Sequence, residues 1–447
     1  MSKIIHKLKS LGENVPISIG APLAHLPFAL RLGPSYTLHR HAIRRYEKLS
    51  TAERDRWTLA RLTQIVSLAQ QNVPFYRNLY GASTGTIESF ADFERLPIVS
   101  KADFQNSGNE SRTWRSGMTV NTGGTSGEPL VFQVETNAFA REWAHMHHLW
   151  YRRGYRKHHL KLTFRGKHFD RSIPVRYNAV HNELVVNANA DMEDVRDYVL
   201  AFNRVHIRWI HGYPSLVAEF ANILDQADGA AKEQFLAGLH GVLLGSEYPA
   251  DVYYQPIRRV LSSNVLSWYG HSEMAALAGM SAEGVYRSLP TYGYVEAVPA
   301  PTGGQFRLVC TSYSNLAHPF IRYDTGDIIE PVSTSSSGLA FRVVDGRIGD
   351  FITDRTGRRH SLTAIIFGRH HRAFERIQHI QVAQSQPGSA LLLVTPKSGQ
   401  ETAEQIRRAF DLDDLDITWS IKLIPSAIRT QAGKISLKVP PTATPQD

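Results

Sequence analysis

A loop of small residues carries the clearest chemistry in the sequence. Residues 122–130 read Thr-Gly-Gly-Thr-Ser-Gly-Glu-Pro-Leu, a mixture of glycines and hydroxyl residues. Such a stretch lets backbone N–H groups and hydroxyls approach an anion closely, which is how many proteins hold phosphates. It matches neither the Walker A pattern nor the dinucleotide pattern G-x-G-x-x-G. By itself the loop predicts either a phosphate site or a flexible turn.

Three later segments add side chains suited to nucleotide chemistry. Residues 268–273 read Trp-Tyr-Gly-His-Ser-Glu, residues 319–327 read Pro-Phe-Ile-Arg-Tyr-Asp-Thr-Gly-Asp, and residues 430–435 read Thr-Gln-Ala-Gly-Lys-Ile. The carboxylate of Asp327 can accept hydrogen bonds from two vicinal ribose hydroxyls, or it can simply follow a turn at Gly326. The ammonium of Lys434 can offset charge that builds on a phosphate in a transition state, although a lone lysine near a terminus is usually an exposed one.

Together and in this order, these motifs resemble those of the adenylate-forming superfamily, which includes acyl-CoA synthetases, peptide-synthetase adenylation domains and luciferases. Within it the chain is similar to the phenylacetate-CoA ligase branch and to its capsule-biosynthesis-type members. Residues 72–76 (Asn-Val-Pro-Phe-Tyr), 96–101 (Leu-Pro-Ile-Val-Ser-Lys) and 211–215 (His-Gly-Tyr-Pro-Ser) are similar to segments of the same branch. The resemblance extends from about Tyr46 to Val439.

The resemblance implies a nucleotide site and a metal ligand. The implied ATP- or AMP-binding residues are Thr122, Gly123, Gly124, Thr125, Ser126 and Gly127 for the phosphates, Gly245, Ser246, Glu247, Tyr269, Gly270 and Ser272 around the adenine, and Asp327 and Arg347 for the ribose and the remaining nucleotide contacts. Glu273 would ligate Mg²⁺, which favours oxygen ligands and usually takes few of them from protein. Many superfamily members have Lys where this chain has Glu128, so the loop lacks a frequent positive charge.

The resemblance also implies catalytic and mobile parts. Lys434 would bridge the substrate carboxylate and the α-phosphate, and with Glu273 it completes the predicted catalytic pair. A hinge is expected at Gly349 and Asp350, although the usual pattern has an acidic residue where this chain has Gly349. His211 and Tyr213 line the acyl pocket in one interpretation, and a structural role for His211 stays open.

The histidine clusters, among them His145 and His148, match no known metal spacing, so no zinc site is expected.

The order of elements predicts an α/β fold. Strands and helices alternate from about residue 137 to residue 269, and the pattern becomes β-rich from about Gly293 to Val344. A shorter mixed segment follows. We therefore expect a large layered α/β N-terminal domain with a β-rich end over residues 1–345, and a small, mobile α+β C-terminal domain over residues 346–447.

The composition limits the function classes. The chain has 447 residues, of which 42% are hydrophobic, and no apolar run approaches the length that crosses a bilayer, so a cytoplasmic enzyme is the default expectation. The single Cys310 excludes an internal disulfide and a multi-cysteine zinc site. The net charge of +9 suits polyanions: ATP, coenzyme A, nucleic acid or an anionic membrane surface. The densest basic stretch, residues 152–171, is either a solvated surface or a groove for a phosphate-bearing acceptor.

The resulting hypothesis is an ATP- and Mg²⁺-dependent ligase that activates a carboxylic acid as an acyl-AMP and then forms a thioester with coenzyme A. One alternative passes the acyl group to an amine or a sugar hydroxyl in polysaccharide or secondary-metabolite assembly. Two alternatives of another class are a catalytically silent scaffold and a basic nucleic-acid-binding protein, the latter supported by charge alone. We expect no nucleic-acid partner and no transmembrane segment, and the sequence leaves a peripheral membrane contact and a homodimer open.

Overall fold

The computed structural model describes most of the chain. The described residues are 15–81, 87–115, 117–121, 130–167, 169–170, 172–187, 190–202, 205–247, 249–280, 284–300, 305–335, 338–345, 351–357, 359–362, 365–366, 371–413, 415–429 and 435–443. Among the described helices, none combines the length and the hydropathy that a membrane crossing requires.

Helices dominate the first quarter of the chain and recur between strands further on. The α-helices are Ile17–Gly20, Phe28–Leu32, Pro34–Glu47, Thr51–Asn72, Pro74–Tyr80, Phe90–Glu94, Lys101–Ser107, Ala138–Arg152, Met192–Ala201, Pro214–Asp225, Ala230–Gly238, Asp251–Pro256 and Ala403–Arg408. Short 3-10 turns lie at Ala21–His25, Gly108–Ser111, Arg372–Glu375 and Pro441–Ala443, and a π-helical turn lies at Ile257–Leu261.

The strands follow in chain order. They are β1 (Met118–Asn121), β2 (Val131–Val134), β3 (Leu160–Lys167), β4 (Val175–Asn178), β5 (Glu183–Asn187), β6 (Ile207–Gly212), β7 (Gly241–Leu244), β8 (Val265–Gly270), β9 (Leu277–Met280), β10 (Tyr286–Ser288), β11 (Gly293–Pro299), β12 (Phe306–Ser312), β13 (Tyr323–Ser333), β14 (Ala340–Asp345), β15 (Phe351–Thr353), β16 (Arg359–Ser361), β17 (Ile377–Gln386), β18 (Ser389–Pro396), β19 (Thr418–Leu423) and β20 (Lys438–Val439).

Local sequence signals set the predicted helix boundaries. Helix Thr51–Asn72 is capped by Ser50, whose backbone N–H donates to Oε2 of Glu53 at 2.8 Å in a capping box. Its apolar positions at helical spacing, among them Leu62 and Ile65, are buried. The helix that begins at Asp251 ends at Pro256, and residues 257–261 form the π-helical turn, because proline supplies no N–H to the helix.

The chain divides into two compact units. The first comprises Met1–His158, Ala179–Asn182 and Leu266–Val343. Seven of its strands lie side by side in the order β11-β12-β13-β14-β10-β9-β8, with antiparallel pairing wherever the register is described. A separate hairpin joins β1 to β2, and helix Thr51–Asn72 packs with strands β12 and β13 into one hydrophobic core.

The second unit comprises His159–Asn178, Glu183–Val265 and Val344–Asp447. Its strands β7-β6-β3-β5-β4 pair in that order, parallel except for β4 with β5, as expected for strands that alternate with helices. The sheet β19-β18-β17-β20 and helix Ala403–Arg408 enclose a core of their own, which includes Ile352, Val382 and Trp419.

The predicted fold class is confirmed: the protein is mixed α/β, with a β-rich end to the N-terminal part and a small α+β C-terminal part. The predicted boundary between residues 345 and 346 borders residues 346–350, which are outside the described residues, and it stays a prediction, as does the mobility of the C-terminal domain. The C-terminal part shares a compact unit with residues of the N-terminal part, and its hydrophobic core lies within residues 352–419.

Candidate active site

Glu273 lies in a buried hydrogen-bonded network at the end of strand β8. Its side chain is 7% exposed, its Oε1 accepts a hydrogen bond from the hydroxyl of Tyr323 at 2.9 Å, and its Oε2 lies 3.0 Å from Nδ1 of His271. Nε2 of His271 lies 3.6 Å from the thiol of Cys310. The carboxylate thus has a fixed orientation, as a metal ligand requires, and an ionised carboxylate keeps lone pairs for further partners.

Tyr269 and Asp327, predicted for the adenine and the ribose, are in direct contact. The Tyr269 hydroxyl donates to Oδ2 of Asp327, whose residue is 5% exposed. Burial, followed by the charge of Asp327, raises the pKa of Tyr269, so the phenol stays protonated and remains a donor. The backbone N–H of Asp327 donates to Oγ1 of Thr325 at 3.2 Å, and Gly326 adopts φ +78°, which closes the turn. A single site therefore holds both predicted nucleotide contacts.

The thiol of Cys310 feels the negative charge of both site carboxylates, Glu273 and Asp327. Burial raises the pKa of its thiol, and the negative charges of Glu273 and Asp327 raise it further. The thiol therefore keeps its proton and can donate to Nε2 of His271. The thiol is buried and free.

Two N-terminal motifs hold the segment that leads to Asp327. The hydroxyl of Tyr76 donates to the carbonyl of Pro319 at 3.0 Å and accepts from the N–H of Ile321 at 3.0 Å. Val99 exchanges backbone hydrogen bonds with Arg322 and Asp324, each at 2.9 Å. The conformation needs such support, because Arg322 adopts φ +48°, which is unfavourable for a residue with a side chain.

Arg322 itself is a structural residue. It is buried, its guanidinium pairs with Oε1 of Glu296 at 2.8 Å, and it also donates to the carbonyls of Glu94 and Leu96. A buried arginine with all these partners holds the strands around the site and is not free to bind a nucleotide.

In the second unit, the predicted acyl-pocket residues lie where two parallel strands end. His211 lies in strand β6 and Tyr213 directly follows it. Gly245 begins the loop after the neighbouring strand β7, with its nitrogen 3.2 Å from the carbonyl oxygen of Gly212. A Cβ atom on Gly212 would lie 2.4 Å from the Phe164 carbonyl, so only glycine fits there. Carboxyl ends of adjacent parallel strands are where open α/β sheets bind ligands.

Glu247 joins three parts of the second unit. Its Oε2 accepts from Oγ of Ser215 at 2.7 Å and from the Ser215 N–H at 3.1 Å, at the start of helix Pro214–Asp225. Its Oε1 accepts from the N–H of Ile435 at 3.1 Å, and Ile435 directly follows Lys434 in the sequence. Although Glu247 was predicted beside the adenine, these contacts give it an anchoring role.

The other flank of residues 430–434 is anchored to the same helix. Arg429 pairs with Oε2 of Glu219 at 2.8 Å, and it forms an isolated antiparallel bridge with Ile435. Burial alone would raise the pKa of Glu219, but His379, whose Nε2 lies 3.7 Å from Oε2, and the charge of Arg429 outweigh burial and lower it. Nε2 of the buried Gln381 donates to the carbonyls of Ile428 and Ser436, at 2.8 and 2.9 Å.

Several predicted residues lie outside the described residues. They are Thr122, Gly123, Gly124, Thr125, Ser126 and Gly127 of the phosphate loop, Glu128 beside it, Arg347, Gly349 and Asp350 of the hinge, and the catalytic Lys434. Their flanks are described: strands β1 and β2 pair antiparallel on the two sides of the loop, with Asn121 opposite Val131. Helix Ala138–Arg152 follows strand β2.

The basic stretch after residue 152 is largely engaged within the protein. Arg152 pairs with Glu47 at 2.6 Å. Lys161 is buried, lies 3.7 Å from the buried Glu183 and shares it with Arg165. These contacts favour the structural interpretation of Lys161 and Arg165 over a groove for a phosphate-bearing acceptor.

The buried histidines of helix Ala138–Arg152 serve packing and hydrogen bonding. Nδ1 of His147 lies 3.0 Å from the Tyr36 hydroxyl, and Nε2 of His145 lies 3.2 Å from the Thr291 hydroxyl. Within the described part of the chain, no group of three or more His, Cys, Asp or Glu side chains is placed to hold a metal ion.

Sequence reasoning did not assign roles to Tyr323, His271 or Cys310. The first two lie inside quoted motifs, so their motif positions were the available signal. Cys310 lies on strand β12 with no motif around it, and only the pairing of β12 with β13 places it beside Tyr323.

Solved structures of other proteins share the fold of this chain. A structure of 2-hydroxyisobutyryl-CoA ligase in the postadenylation state, in complex with R3-HIB-AMP, aligns with a TM-score of 0.60 at 17% identity and covers 89% of this chain and 91% of that one. GH3.15 acyl acid amido synthetase aligns with a TM-score of 0.54 at 13% identity, over 82% and 86% of the two chains. The chain has the adenylate-forming fold.

The similarity in sequence to known proteins is lower than the similarity in fold. Protein CapK of Staphylococcus aureus is 21% identical to this chain, over 66% of this chain and 68% of the relative. No protein-family model matches. The adenylate-forming fold therefore agrees with the resemblance that the motifs indicated, and the activity follows as a proposal from the site.

Proposed function

We propose that the protein is an ATP- and Mg²⁺-dependent ligase that activates a carboxylic acid as an acyl-AMP. The observation that carries the proposal is the contact between Tyr269 and Asp327 in the same unit as the Tyr323–Glu273 pair. Glu273 and Tyr323 are 50 positions apart in the sequence, and Tyr269 and Asp327 are 58 apart. These residues of two motifs thereby form one buried site, on a fold shared with a CoA ligase that binds an acyl-AMP.

The residues of the site fit the nucleotide and its metal. Asp327 presents a carboxylate to two vicinal ribose hydroxyls, and Tyr269 beside it offers a ring face to the adenine. Glu273 offers one oriented carboxylate, which suffices for Mg²⁺ because that ion usually keeps waters and substrate phosphate oxygens as its other ligands. Bound Mg²⁺ would supply positive charge for the departing pyrophosphate.

Lys434 and the loop of residues 122–127 complete the proposed mechanism. The loop would hold the β- and γ-phosphates so that the substrate carboxylate meets the α-phosphate in line. The ammonium of Lys434 would bridge that carboxylate and the α-phosphate and stabilise the charge of the transition state. His211 and Tyr213, at the ends of the parallel strands, would line the acyl pocket.

The second half-reaction has two candidates. We propose thioester formation with coenzyme A after a rotation of the C-terminal domain at residues 349–350, which would withdraw Lys434 and admit the thiol. The alternative acceptor is an amine or a sugar hydroxyl, and the resemblance to capsule-biosynthesis-type members supports it. The fold does not separate these candidates, since a CoA ligase and an amido synthetase both share it.

Acid-dependent pyrophosphate release tests the proposal. Release is measured across aryl, fatty and amino acids, with and without coenzyme A, for the wild type and Asp327→Asn. A matched control is Asp225→Asn, because Asp225 pairs with Arg259 and both side chains are exposed. Release that depends on an acid and is lost only in Asp327→Asn supports the ligase. Wild-type protein that binds ATP but releases no pyrophosphate with any acid would support the silent-scaffold alternative.

The nucleic-acid alternative makes a distinct prediction. If the charge serves a small polyanion, duplex DNA binds weakly and loses affinity steeply with salt. Specific nucleic-acid binders keep affinities of roughly 10⁻⁸ M or tighter at physiological salt. Sub-micromolar binding of DNA or RNA at about 150 mM salt, without acid-dependent pyrophosphate release, would replace the enzyme proposal.

A further inference from the structure

The N-terminal helical segment, residues 15–48, displays aliphatic side chains to solvent. Ile19 is 63% exposed and Leu30 is 74% exposed, and Leu23, Leu26 and Leu38 are exposed as well. The first four recur at intervals of four, three and four residues, along two short α-helices and the 3-10 turn between them. We refer to Ile19, Leu23, Leu26, Leu30 and Leu38 as the leucine patch. Exposed aliphatic residues concentrated in this way mark an interaction surface.

The segment is held firmly on its other side. Phe28 is buried and stacks on His147 with ring centroids 4.1 Å apart, and the buried Tyr36 contacts the same histidine. The guanidinium of Arg31 donates to the carbonyl of Val180 at 3.1 Å, and Nζ of Lys157 donates to the carbonyl of His25 at 2.6 Å. The leucine patch is therefore the outer surface of a docked element.

Positive charge accompanies the leucine patch. Residues 15–48 contain five Lys or Arg, one Glu and no Asp, so this segment carries a net +4 of the total +9. On helix Pro34–Glu47, the exposed Leu38 shares a helical face, by spacing, with the exposed His41 and Arg45, whereas Tyr36, Ile43 and Tyr46 are buried. Arg44 and Lys48 are exposed as well.

We propose that the leucine patch and the basic residues around it dock the protein on the surface of an anionic lipid bilayer. Aliphatic side chains that enter the headgroup region, with cations that meet acidic lipids, are the two requirements for reversible interfacial binding. A second copy of this chain fits the charge poorly, because two surfaces of the same sign would face each other. Docking of this kind needs no membrane-spanning helix.

The test is sedimentation of the full-length protein with vesicles. One set is phosphatidylcholine alone, and the other contains about one quarter phosphatidylglycerol. We expect binding to the anionic vesicles, weaker binding at high salt and little binding to phosphatidylcholine alone. Ile19→Gln with Leu30→Gln should weaken binding by about tenfold or more, because two exposed aliphatic side chains no longer enter the lipid.

Control variants separate the patch from general hydrophobicity and from misfolding. Val205→Gln with Val332→Gln alters two aliphatic residues that are exposed elsewhere, and it should leave vesicle binding unchanged. Arg44→Gln with Arg45→Gln should weaken binding to anionic vesicles and flatten its salt dependence, and it tests the proposal even if the Ile19/Leu30 variant fails to fold. Acid-dependent pyrophosphate release in solution should be unchanged in both patch variants, so failure of the docking proposal is distinguishable from failure of the enzyme proposal.

Three results would overturn the docking proposal. They are wild-type protein that stays in solution with anionic vesicles, a folded Ile19/Leu30 variant that binds them as well as the wild type, and a wild-type dimer in sedimentation velocity that the same variant converts to a monomer. The third result would identify the patch as a subunit interface.

Discussion

The hydroxyl of Tyr323 lies 2.9 Å from Oε1 of Glu273. The contact joins the motif that ends in Asp327 to the motif that supplies the predicted metal ligand. Because the donor is neutral and the acceptor is a carboxylate, the hydrogen bond fixes the orientation of Glu273 without neutralising its charge.

Tyr323→Phe should therefore raise the Mg²⁺ concentration that the reaction requires. Loss of one hydrogen bond to a charged group costs about 1.5–3 kcal/mol, so we expect a shift of roughly tenfold or more in the Mg²⁺ dependence of pyrophosphate release. Tyr286→Phe is the matched control, since its hydroxyl contacts Ser267 at 3.4 Å. An unchanged Mg²⁺ dependence in Tyr323→Phe would show that Glu273 does not act as the metal ligand.

Asp327→Ala should weaken ATP binding. Two hydrogen bonds to ribose hydroxyls are lost, each worth about 1.5–3 kcal/mol when charge-assisted. Isothermal titration with ATP measures the change, and Asp327→Asn, which preserves the shape, separates the loss of charge from the loss of packing against Tyr269. A dissociation constant equal to that of the wild type, in folded protein, excludes the ribose contact.

Lys434→Ala should reduce acyl-AMP formation by orders of magnitude while ATP binding and folding stay nearly intact, because its charge acts in the transition state. Lys422→Ala, in strand β19 of the same part of the chain, is the matched control. Single-turnover adenylate formation is the measurement. Near-wild-type formation in Lys434→Ala would remove this residue from the mechanism.

Glu247→Gln should slow adenylation without weakening ATP binding to the same extent. The amide keeps one acceptor oxygen, so it cannot accept from both Ser215 and Ile435 as the carboxylate does. We expect a decrease of about tenfold in adenylate formation, the effect of one lost charge-assisted hydrogen bond.

The same loss of anchoring can be tested from the opposite flank. Glu219→Gln weakens the pair with Arg429, and its effect should combine non-additively with Glu247→Gln if both hold residues 430–434. Glu233→Gln, on the exposed side of helix Ala230–Gly238, is the control. Full activity of both anchoring variants would leave Glu247 with a local structural role only.

His145 should make the protein less stable in acid. Burial lowers the pKa of His145 to about 3, whereas an unfolded histidine binds a proton near pH 6.5. Between these values the unfolded chain binds more protons than the native one, so stability falls as the pH drops below about 6.5. Between pH 7.5 and 5.5 the wild type should lose about 1 kcal/mol more than His145→Gln in guanidinium unfolding. Equal losses in the two proteins would mean that the imidazole is protonated in the native state.

The sequence by itself determined the elements and the order of the motifs. Ser50 and Glu53 are close in the chain, so the start of helix Thr51–Asn72 depends on a local hydrogen bond that a pattern reveals. The alternation of strands and helices likewise predicted the α/β layering, in which strands β3, β5, β6 and β7 are parallel. Local rules succeed here because hydrophobic periodicity and capping act over a few residues.

Only the tertiary structure decided which distant residues meet. Tyr323 reaches Glu273 across 50 positions, and Glu247 reaches Ile435 across 188, distances at which no periodicity carries information. The same applies to Lys161, which reads as part of a charged run but is buried against Glu183, 22 positions away. Burial requires a partner for every charge, and the fold, not the neighbouring sequence, supplies that partner.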